Sequence, residues 1–246
     1  MTQAQVRPEA QAEAPPAQQA VHFAFYKLAP EWWQLDPSER RRLGAELVAL
    51  LNRWSEKLIL ASYSLVGIRA DCDLLLWKAA ESIDDIHALG IELATSPIGR
   101  YLQPAYAFLS LTKRSIYIRS HEHPGEPGDR SRVSPIGAKY LFVYPFVKTR
   151  AWYALPLEQR QAMMNEHIRV GHKYPRVRLN TTYSFGLDDQ EFVLAFETDF
   201  PSDFLDLVME LREAETSRYT ERDTPIFTCL KAQGEDLLRS LGATQS

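Results

Sequence analysis

The stretch TTYSFGLDDQEFVLAFETD, residues 181–199, decides the fold of the second half of this sequence. It holds two runs that are rich in aromatic, β-branched and aliphatic residues, a composition that is typical of β-strands. The turn GLDDQ, with its glycine and paired aspartates, separates the two runs. We therefore predict a β-hairpin whose strands are RVRLNTTYSF and EFVLAFE.

Strands and helices alternate on both sides of this hairpin. Upstream, YLFVYPF is typical of a strand and LPLEQRQAMMNEHIRV has helical spacing. Downstream, PSDFLDLVMELREAETSRY predicts a helix and PIFTCLK predicts a last strand. The predicted order is β-α-β-β-α-β, which is the order of a ferredoxin-like unit.

The first half repeats that order. Its segments are VHFAFY, the helical PSERRRLGAELVALLNRW, the strands LILASYSLVG and DLLLWKA around the turn IRADC, a helix from Ser82 to about Thr95, and the strand AYAFLSLT. Six residue pairs match at a constant offset of 120, namely Trp32 and Trp152, Trp33 and Tyr153, Leu35 and Leu155, Arg40 and Arg160, Tyr63 and Tyr183, and Ser64 and Ser184. We therefore predict an α+β fold in which two ferredoxin-like repeats form a dimeric α+β barrel within one chain.

The segment HEHPGEPGDRSRVSPIG, rich in Pro, Gly and charged residues, lies between the two predicted repeats. We expect a disordered tail at 1–20, repeats at 21–112 and 140–232, a connecting segment at 113–139 and a C-terminal tail at 233–246. The connecting segment is long for a plain linker, which makes it a candidate for covering a pocket.

Composition excludes several classes of partner. The chain is 45% hydrophobic and 24% charged with a net charge of -4, so it lacks the basic field that attracts nucleic acid or an anionic membrane surface. Cys72 and Cys229 are the two cysteines, without a CxxC motif, which disfavours a disulfide framework or a cysteine metal site and fits a reducing cytoplasm. The sequence has neither a signal-peptide pattern nor an apolar run long enough to cross a bilayer.

Two of the six histidines, His167 and His172, fall at the end of the helix predicted before the hairpin. Met163, His167 and Val170 are spaced i, i+4, i+7, which places the imidazole on the apolar stripe that faces the sheet, where the first half has Leu47. His172 stands at the expected helix end and is expected to be exposed. His167 is therefore either a hydrogen-bonded core histidine or a ligand. A lone protein ligand suits haem iron, because the macrocycle supplies four other positions.

The segments YPFVKTRAWYALPLEQRQAMMNEH, VGHKYPRV and TTYSFGLDDQEFVLAFETD resemble the haem-binding half of the chlorite dismutase family, which includes the bacterial coproheme decarboxylases. The similarity is strongest from about Tyr140 to Phe227. The first half agrees mainly in its order of strands and helices and around RYLQPAYAFLSL. The resemblance implies that His167 is the haem ligand, that the cofactor is iron coproporphyrin III or haem b, and that five identical subunits form a ring.

The resemblance also identifies the position above the iron, on the strand before the turn. Chlorite dismutases carry arginine there and one large group of decarboxylases carries glutamine, whereas this sequence has Leu179 between Arg178 and Asn180. A leucine cannot stabilise an oxyanion, so chlorite chemistry is disfavoured. A one-residue gap near Pro175 keeps Arg178 as an alternative, although strand alternation turns it to the face opposite Leu179.

The decarboxylase branch needs a tyrosine that can form a phenoxyl radical beside the propionates, and Tyr144 occupies that place. By the same resemblance, Lys148 matches a lysine near the propionate that is lost. The polar groups that hold propionates are matched by Tyr117, Arg130 and Ser217. Each of these residues has a structural alternative, as a packed strand residue, a solvated charge or the end of a helix.

Decarboxylases of the actinobacterial kind use a histidine of the connecting segment as the distal base, and this chain has His121 and His123 there; a solvated loop residue is the alternative for each. We expect oxidative decarboxylation of two propionates by hydrogen peroxide, with hydrogen abstraction by Tyr144. Two alternatives stay open. One is a chlorite dismutase or general haem peroxidase, and the other is a haem or porphyrin carrier without turnover.

Overall fold

A computed structural model of the chain describes residues 18–117 and 132–244. Its strands are β1 (Ala20–Leu28), β2 (Ile59–Ser64), β3 (Leu74–Ala80), β4 (Leu102–Leu111), β5 (Tyr140–Lys148), β6 (Arg178–Tyr183), β7 (Phe192–Thr198), β8 (Thr220–Arg222) and β9 (Phe227–Lys231). Its helices are α1 (Pro30–Gln34), α2 (Pro37–Ser55), α3 (Ile83–Thr95), α4 (Arg150–Ala154), α5 (Leu157–Gly171), α6 (Pro201–Glu213) and α7 (Glu235–Ser240). Short 3-10 turns follow at Gly99–Tyr101 and Glu215–Tyr219. In the described ranges, no helix combines the length and the apolar character that crossing a membrane requires.

The strands form one sheet that closes on itself. The order is β4-β1-β3-β2 in the first half and β9-β5-β7-β6 in the second half, so each half has the strand order of a ferredoxin-like unit. The halves join where β2 pairs with β9 and where β4 pairs with β6. The predicted α+β barrel of two ferredoxin-like repeats is therefore confirmed, and β8 adds a short pairing at the end of β5.

Side chains fill the barrel interior, because every second residue of a strand points inward. Phe25 stacks on Phe227 with 4.1 Å between ring centroids, and Phe23 stacks on Trp77 at 5.3 Å. Burial of each such ring stabilises the fold by about 1.5–3 kcal/mol. The interior is thus a packed core, and a bound group has to use an outer face.

The segment expected as a C-terminal tail contains the packed helix α7. Leu237 and Leu241 are buried in the core between the first sheet and its helices. Trp32 Nε1 donates a hydrogen bond of 2.9 Å to the carbonyl of Leu241. A helix of six residues is too short to show a periodic pattern, which is why the sequence did not reveal it.

The end of the expected N-terminal tail is also ordered. Gln19 is buried, and its main-chain N–H donates to Thr112 Oγ1 at 2.9 Å while its side-chain oxygen accepts from the N–H of Val133 at 2.8 Å. These hydrogen bonds satisfy buried backbone groups. Such contacts leave no pattern of apolar residues, so the sequence did not predict order at Gln19. Ala20 then begins β1, and residues 1–17 lie outside the described ranges.

The end of the connecting segment crosses one end of the barrel. The fully buried carboxylate of Glu197 accepts hydrogen bonds from the N–H groups of Ile136 (3.1 Å) and Gly137 (2.9 Å). Gly137 has a φ of 69°, a left-handed conformation that favours glycine. A cavity of about 500 Å³ lies between this segment and β2.

Two short helices, α1 and α4, were not predicted and occupy the same place in each repeat. In each, the N–H of a tryptophan, Trp32 or Trp152, donates to the carbonyl three residues earlier at 3.0 Å. One turn of helix holds too few residues for a periodic pattern. The offset pairs in the sequence nevertheless marked these tryptophans as equivalent.

The helix predicted over residues 201–219 is divided. α6 ends at Glu213, and Ala214 adopts an extended conformation with ψ of 146° before the 3-10 turn Glu215–Tyr219 begins. Ala214 and Thr216 are buried, so the chain gains apolar packing by leaving the helix. The break brings the turn against α5.

Candidate functional site

The outer face of the C-terminal sheet is apolar and incompletely covered. Its cross-strand partners form three rows over β6, β7 and β5, namely Leu179, Phe196 and Phe142; Thr181, Leu194 and Tyr144; and Tyr183, Phe192 and Phe146. Residues between them, such as Val143 and Val193, point into the barrel instead. Leu179 remains 42% exposed, so this edge of the face is open to solvent. This exposed edge is the part of the face that a flat hydrophobic group could contact.

Leu179 and Arg178 lie on opposite faces of β6, as the alternation argument predicted. The Cα partner of Arg178 is Glu197, whose carboxylate lies on the interior side of the sheet at the end of the barrel. The outer face therefore presents a leucine at this position. No cation from β6 stands beside it in the described part of the strand.

His167 lies on α5, on the stripe predicted from the sequence. Met163 and Val170 of that stripe are buried, and Val170 packs in the apolar cluster that includes Phe142 and Tyr144. Burial lowers the pKa of His167 from 6.5 to about 4, and the nearby ammonium of Lys148 adds to the effect. The imidazole is therefore neutral at neutral pH, which is the state that binds a metal ion.

The two ring nitrogens of His167 have different surroundings. Nδ1 lies 3.4 Å from Thr216 Oγ1. For Nε2, no hydrogen bond is found within residues 18–117 and 132–244. One nitrogen is thus held by the protein and the other is available to a ligand.

Lys148 ends β5 on the same outer face, and its side chain is 9% exposed. Its ammonium donates to the main-chain carbonyl of Thr216 at 2.9 Å and lies 4.7 Å from the ring centroid of Trp152. Burial lowers the pKa of Lys148 from 10.5 to about 8, while the carboxylate of Glu191 opposes that shift. Lys148 is therefore a buried group with a protein partner, and the alternative of a solvated surface charge is wrong.

Tyr144 lies at the centre of the apolar face. The side chain is 7% exposed and stacks on Phe196 with 5.9 Å between ring centroids. Burial raises the pKa of the phenol above its ordinary value, and the charge of Asp223 adds to the rise. Asp223 forms an ion pair with Arg212 near this hydroxyl. The phenol consequently keeps its proton at neutral pH.

Glu191, the last acidic residue of the hairpin motif, has a structural role that the sequence did not assign. Its Oε2 accepts hydrogen bonds from the N–H of Lys148 at 2.8 Å and from the hydroxyl of Tyr153 at 2.5 Å. Oε1 lies 3.5 Å from Nη1 of Arg150. The carboxylate thus fixes the end of β5 and the start of α4 to the hairpin. Its position in the hairpin motif GLDDQE is the sequence feature that could have pointed to this role.

Tyr117 packs against the start of α5. Its hydroxyl accepts a hydrogen bond of 3.3 Å from Arg160, and its carbonyl accepts one of 3.1 Å from Gln161. Its ring meets that of Trp152 edge-on at 6.4 Å. The structure therefore brings an additional cation, Arg160, to the residue predicted to hold a propionate.

The other predicted residues divide into two groups. Ser217 Oγ donates to the carbonyl of Arg212 at 2.7 Å, which is the helix-ending contact that was the alternative for this residue. His172 caps α5 and is exposed, as expected. The remaining predicted residues lie outside the described ranges, namely Arg130, His121 and His123.

The ligand chemistry of this site is that of a single imidazole. In the described ranges, no three His, Cys, Asp or Glu side chains come together as a metal site. α5 places one neutral histidine beside the apolar outer face, and a tyrosine and an arginine lie at the start of the same helix. This combination fits an iron porphyrin, which brings its own four nitrogen ligands and carries peripheral carboxylates.

Comparison with known families decides the membership of this chain. The family model described as chlorite dismutase matches residues 42–232. This protein belongs to the chlorite dismutase family. The matched range includes β2, β3 and β4 of the first half as well as all strands of the second, and therefore extends beyond the haem-binding half that carried the resemblance in the sequence.

Individual relatives agree with this assignment. A coproheme decarboxylase of Mycolicibacterium smegmatis is 32% identical over 180 residues, which are 73% of this chain and 75% of the relative. A chlorite dismutase variant of Candidatus Nitrospira defluvii superposes with a TM-score of 0.82 at 26% identity, covering 93% of this chain and 97% of that one. A haem-binding protein from Thermus thermophilus has a TM-score of 0.82 at 25% identity, covering 91% of this chain and 95% of that one. The family is thus one of haem-related proteins with more than one activity.

Proposed function

We propose that this protein removes two propionate carboxyl groups of iron coproporphyrin III with hydrogen peroxide and yields haem b, late in haem synthesis. The observation that carries the proposal is the placement of a buried phenol, Tyr144, on the apolar sheet face against which α5, the helix of His167, packs through Val170. The similarity to a coproheme decarboxylase supports the same reaction.

The binding roles follow from the contacts around the face. His167 Nε2 would ligate the iron, and the rows of aromatic and aliphatic residues would pack against the macrocycle. Tyr117 and Arg160 would donate to a propionate, with charge-assisted bonds that fix the orientation of a ligand carrying four carboxylates. Arg130 and Ser217 stay proposals for the same task. The iron porphyrin supplies the oxidising power when it is bound together with peroxide.

We propose that Tyr144 abstracts a hydrogen atom from a carbon of the propionate. A propionate C–H bond is not acidic enough for the acid or base chemistry of ordinary side chains, whereas an oxidised phenol can take a hydrogen atom from carbon. The raised pKa of Tyr144 means that the residue enters this step as O–H rather than as phenolate. Its stacking on Phe196 holds the ring in one orientation. Loss of the hydrogen atom, of one further electron and of carbon dioxide leaves a vinyl group, and hydrogen peroxide, the two-electron oxidant, is reduced to water.

Leu179 argues against oxygen release from chlorite. Stabilising the developing oxyanion requires a donor or a cation above the iron, and leucine provides neither. Arg178 lies on the opposite face of the strand. The decarboxylase is therefore the function we propose, rather than the chlorite dismutase that gives the family its name.

One experiment separates the proposed function from its rivals. The purified protein is incubated with iron coproporphyrin III and titrated with hydrogen peroxide, and the porphyrin masses are followed. Stepwise loss of two carboxyl groups is expected. Unchanged masses with tight binding would identify a carrier, and oxygen release from chlorite by the haem-loaded protein would identify a dismutase.

The proposal also includes the oligomeric state of the protein and its location in the cell. The family resemblance implies a ring of five subunits, which sedimentation of the purified protein tests directly. We also propose a cytoplasmic location, which fits the two buried free thiols, Cys72 and Cys229.

A further inference from the structure

Thr216 contacts the candidate iron ligand, His167. The residue lies in the 3-10 turn after α6 and is 2% exposed. Its Oγ1 lies 3.4 Å from His167 Nδ1. In the described part of the chain, this hydroxyl has no other hydrogen bond. The imidazole is thus its polar partner there.

The turn that carries Thr216 is hydrogen-bonded to two consecutive residues at the end of β5. Lys148 Nζ donates to the carbonyl of Thr216 at 2.9 Å, and the N–H of Thr149 donates to the carbonyl of Tyr219 at 2.8 Å. β8 then begins with Thr220, the register partner of Lys148. A change at Lys148 should therefore move the Thr216 hydroxyl, even though the two side chains do not bond to each other.

A neutral imidazole has one N–H, so the partner of one nitrogen decides what the other can do. If the hydroxyl donated to Nδ1, Nε2 would carry the hydrogen and could not bind a metal. If the hydroxyl accepts from Nδ1–H, Nε2 has a free lone pair. Groups that contact the second nitrogen of a ligating histidine fix its tautomer and ring orientation in this way.

We propose that Thr216 is a positioning residue whose hydroxyl accepts the hydrogen bond of His167 Nδ1–H, and that Lys148 acts through Thr216 rather than on the substrate. The direction of the bond rests on the proposed function, because that function requires Nε2 to bind iron. It assigns to Lys148 a role different from the propionate contact that the family resemblance implied.

The test uses the full chain without porphyrin, so that its outcome does not depend on turnover. Proton–nitrogen correlation spectra at neutral pH report which ring nitrogen of His167 carries the hydrogen, and the signal is assigned by its absence in His167→Ala. The wild type is expected to show the Nδ1–H tautomer. Thr216→Val keeps the shape and removes the acceptor, so the preference is expected to be lost. Thr216→Ser should retain it.

Two further variants test the specificity of this effect. Ser217→Ala, next to Thr216, is the matched control and should leave the tautomer unchanged, because its hydroxyl bonds to the carbonyl of Arg212. Lys148→Met should weaken the Nδ1–H preference in the same direction as Thr216→Val. An unchanged tautomer in Lys148→Met would remove Lys148 from the proposal.

The proposal is overturned if wild-type His167 carries its hydrogen on Nε2, or if Thr216→Val has the wild-type tautomer. The first of these outcomes does not depend on Thr216→Val and stands even if that variant does not fold. Failure of the proposed function is a separate observation, namely no mass change of iron coproporphyrin, and it can occur with either tautomer.

Discussion

The carboxylate of Glu191 accepts a hydrogen bond of 2.8 Å from the main-chain N–H of Lys148. It thereby connects the hairpin of the second repeat to the end of β5, where the proposed site begins. The first repeat has the equivalent contact, in which the N–H of Leu28 donates to Asp73 Oδ2 at 2.9 Å. In both repeats, therefore, a carboxylate of the hairpin accepts a hydrogen bond from the end of the first strand, and the proposed site lies beside the second of these contacts.

Glu191→Ala should destabilise the fold. The substitution leaves the buried N–H of Lys148 and the hydroxyl of Tyr153 without their acceptor, which lowers the free energy of unfolding by about 2–3 kcal/mol. Urea denaturation measures this change. Asp189→Ala, two residues earlier at an exposed position, is the control and should stay within about 0.5 kcal/mol of the wild type. Equal stabilities of the two variants would refute the role of Glu191.

His167→Ala should weaken the binding of iron coproporphyrin by at least about tenfold and alter its absorption spectrum, because the available Nε2 is lost. His172→Ala should bind normally, since His172 is exposed at the end of α5. Titration of each apo protein with the iron porphyrin provides both readouts. A wild-type affinity and spectrum in His167→Ala would disprove ligation by this residue.

His22 should make the protein less stable in acid. Burial, with a contribution from the charge of Lys78, lowers its pKa from 6.5 to about 3, although Asp188 opposes the shift. In the unfolded chain His22 is protonated below about pH 6.5, whereas in the folded chain it stays neutral down to about pH 3. The folded state therefore loses stability relative to the unfolded state as the pH falls from 6.5 towards 3. Because the ring is largely buried, we expect a loss of about 1–2 kcal/mol from this group between neutral pH and about pH 5.

Denaturation of the wild type and of His22→Gln at both pH values tests this expectation. Other groups contribute equally to the two proteins, so the wild type should lose more stability on acidification than the variant does. His87→Gln, at an exposed position of α3, should behave as the wild type. Parallel losses in the wild type and His22→Gln would show that His22 does not titrate as described.

The haem-loaded protein should release little oxygen from chlorite and should lose its colour instead, because leucine offers no hydrogen-bond donor at the position that we propose lies above the iron, residue 179. Leu179→Arg should increase oxygen release, measured with an electrode, since the outer face is open enough at this position to accept a longer side chain. Leu179→Met, a substitution of similar volume without charge, is the control. Sustained oxygen release by the unmodified protein would place it with the dismutases.

The elements with strong periodicity were predicted correctly from the sequence. The first hairpin strand alternates and the second is a short apolar run, and the structure has β6 and β7 at these positions with the turn between them. The stripe of α5 placed His167 towards the sheet, as Val170 confirms by its burial. The same alternation separated Leu179 from Arg178. In each case one buried face imposes the pattern on the sequence.

Features that depend on single tertiary contacts could not be predicted. The helix α7 is held by the hydrogen bond from Trp32 to Leu241 and by a few apolar side chains, and the order at Gln19 comes from two hydrogen bonds. Thr216 was missed because the predicted helix continued through it, whereas burial of the turn ends that helix early. Contacts between distant segments leave no period in the sequence.

Tyr144→Phe tests the proposed hydrogen abstraction most directly. Phenylalanine keeps the packing of the ring on Phe196 and lacks the oxidisable O–H, so the variant should fold and bind iron coproporphyrin normally. Tyr140→Phe, on the same face and strand, is the matched control and should retain activity. The measurement is mass spectrometry of the porphyrin after titration with peroxide. We predict almost no decarboxylated product from Tyr144→Phe; loss of two carboxyl groups at near-normal yield would contradict the role of Tyr144.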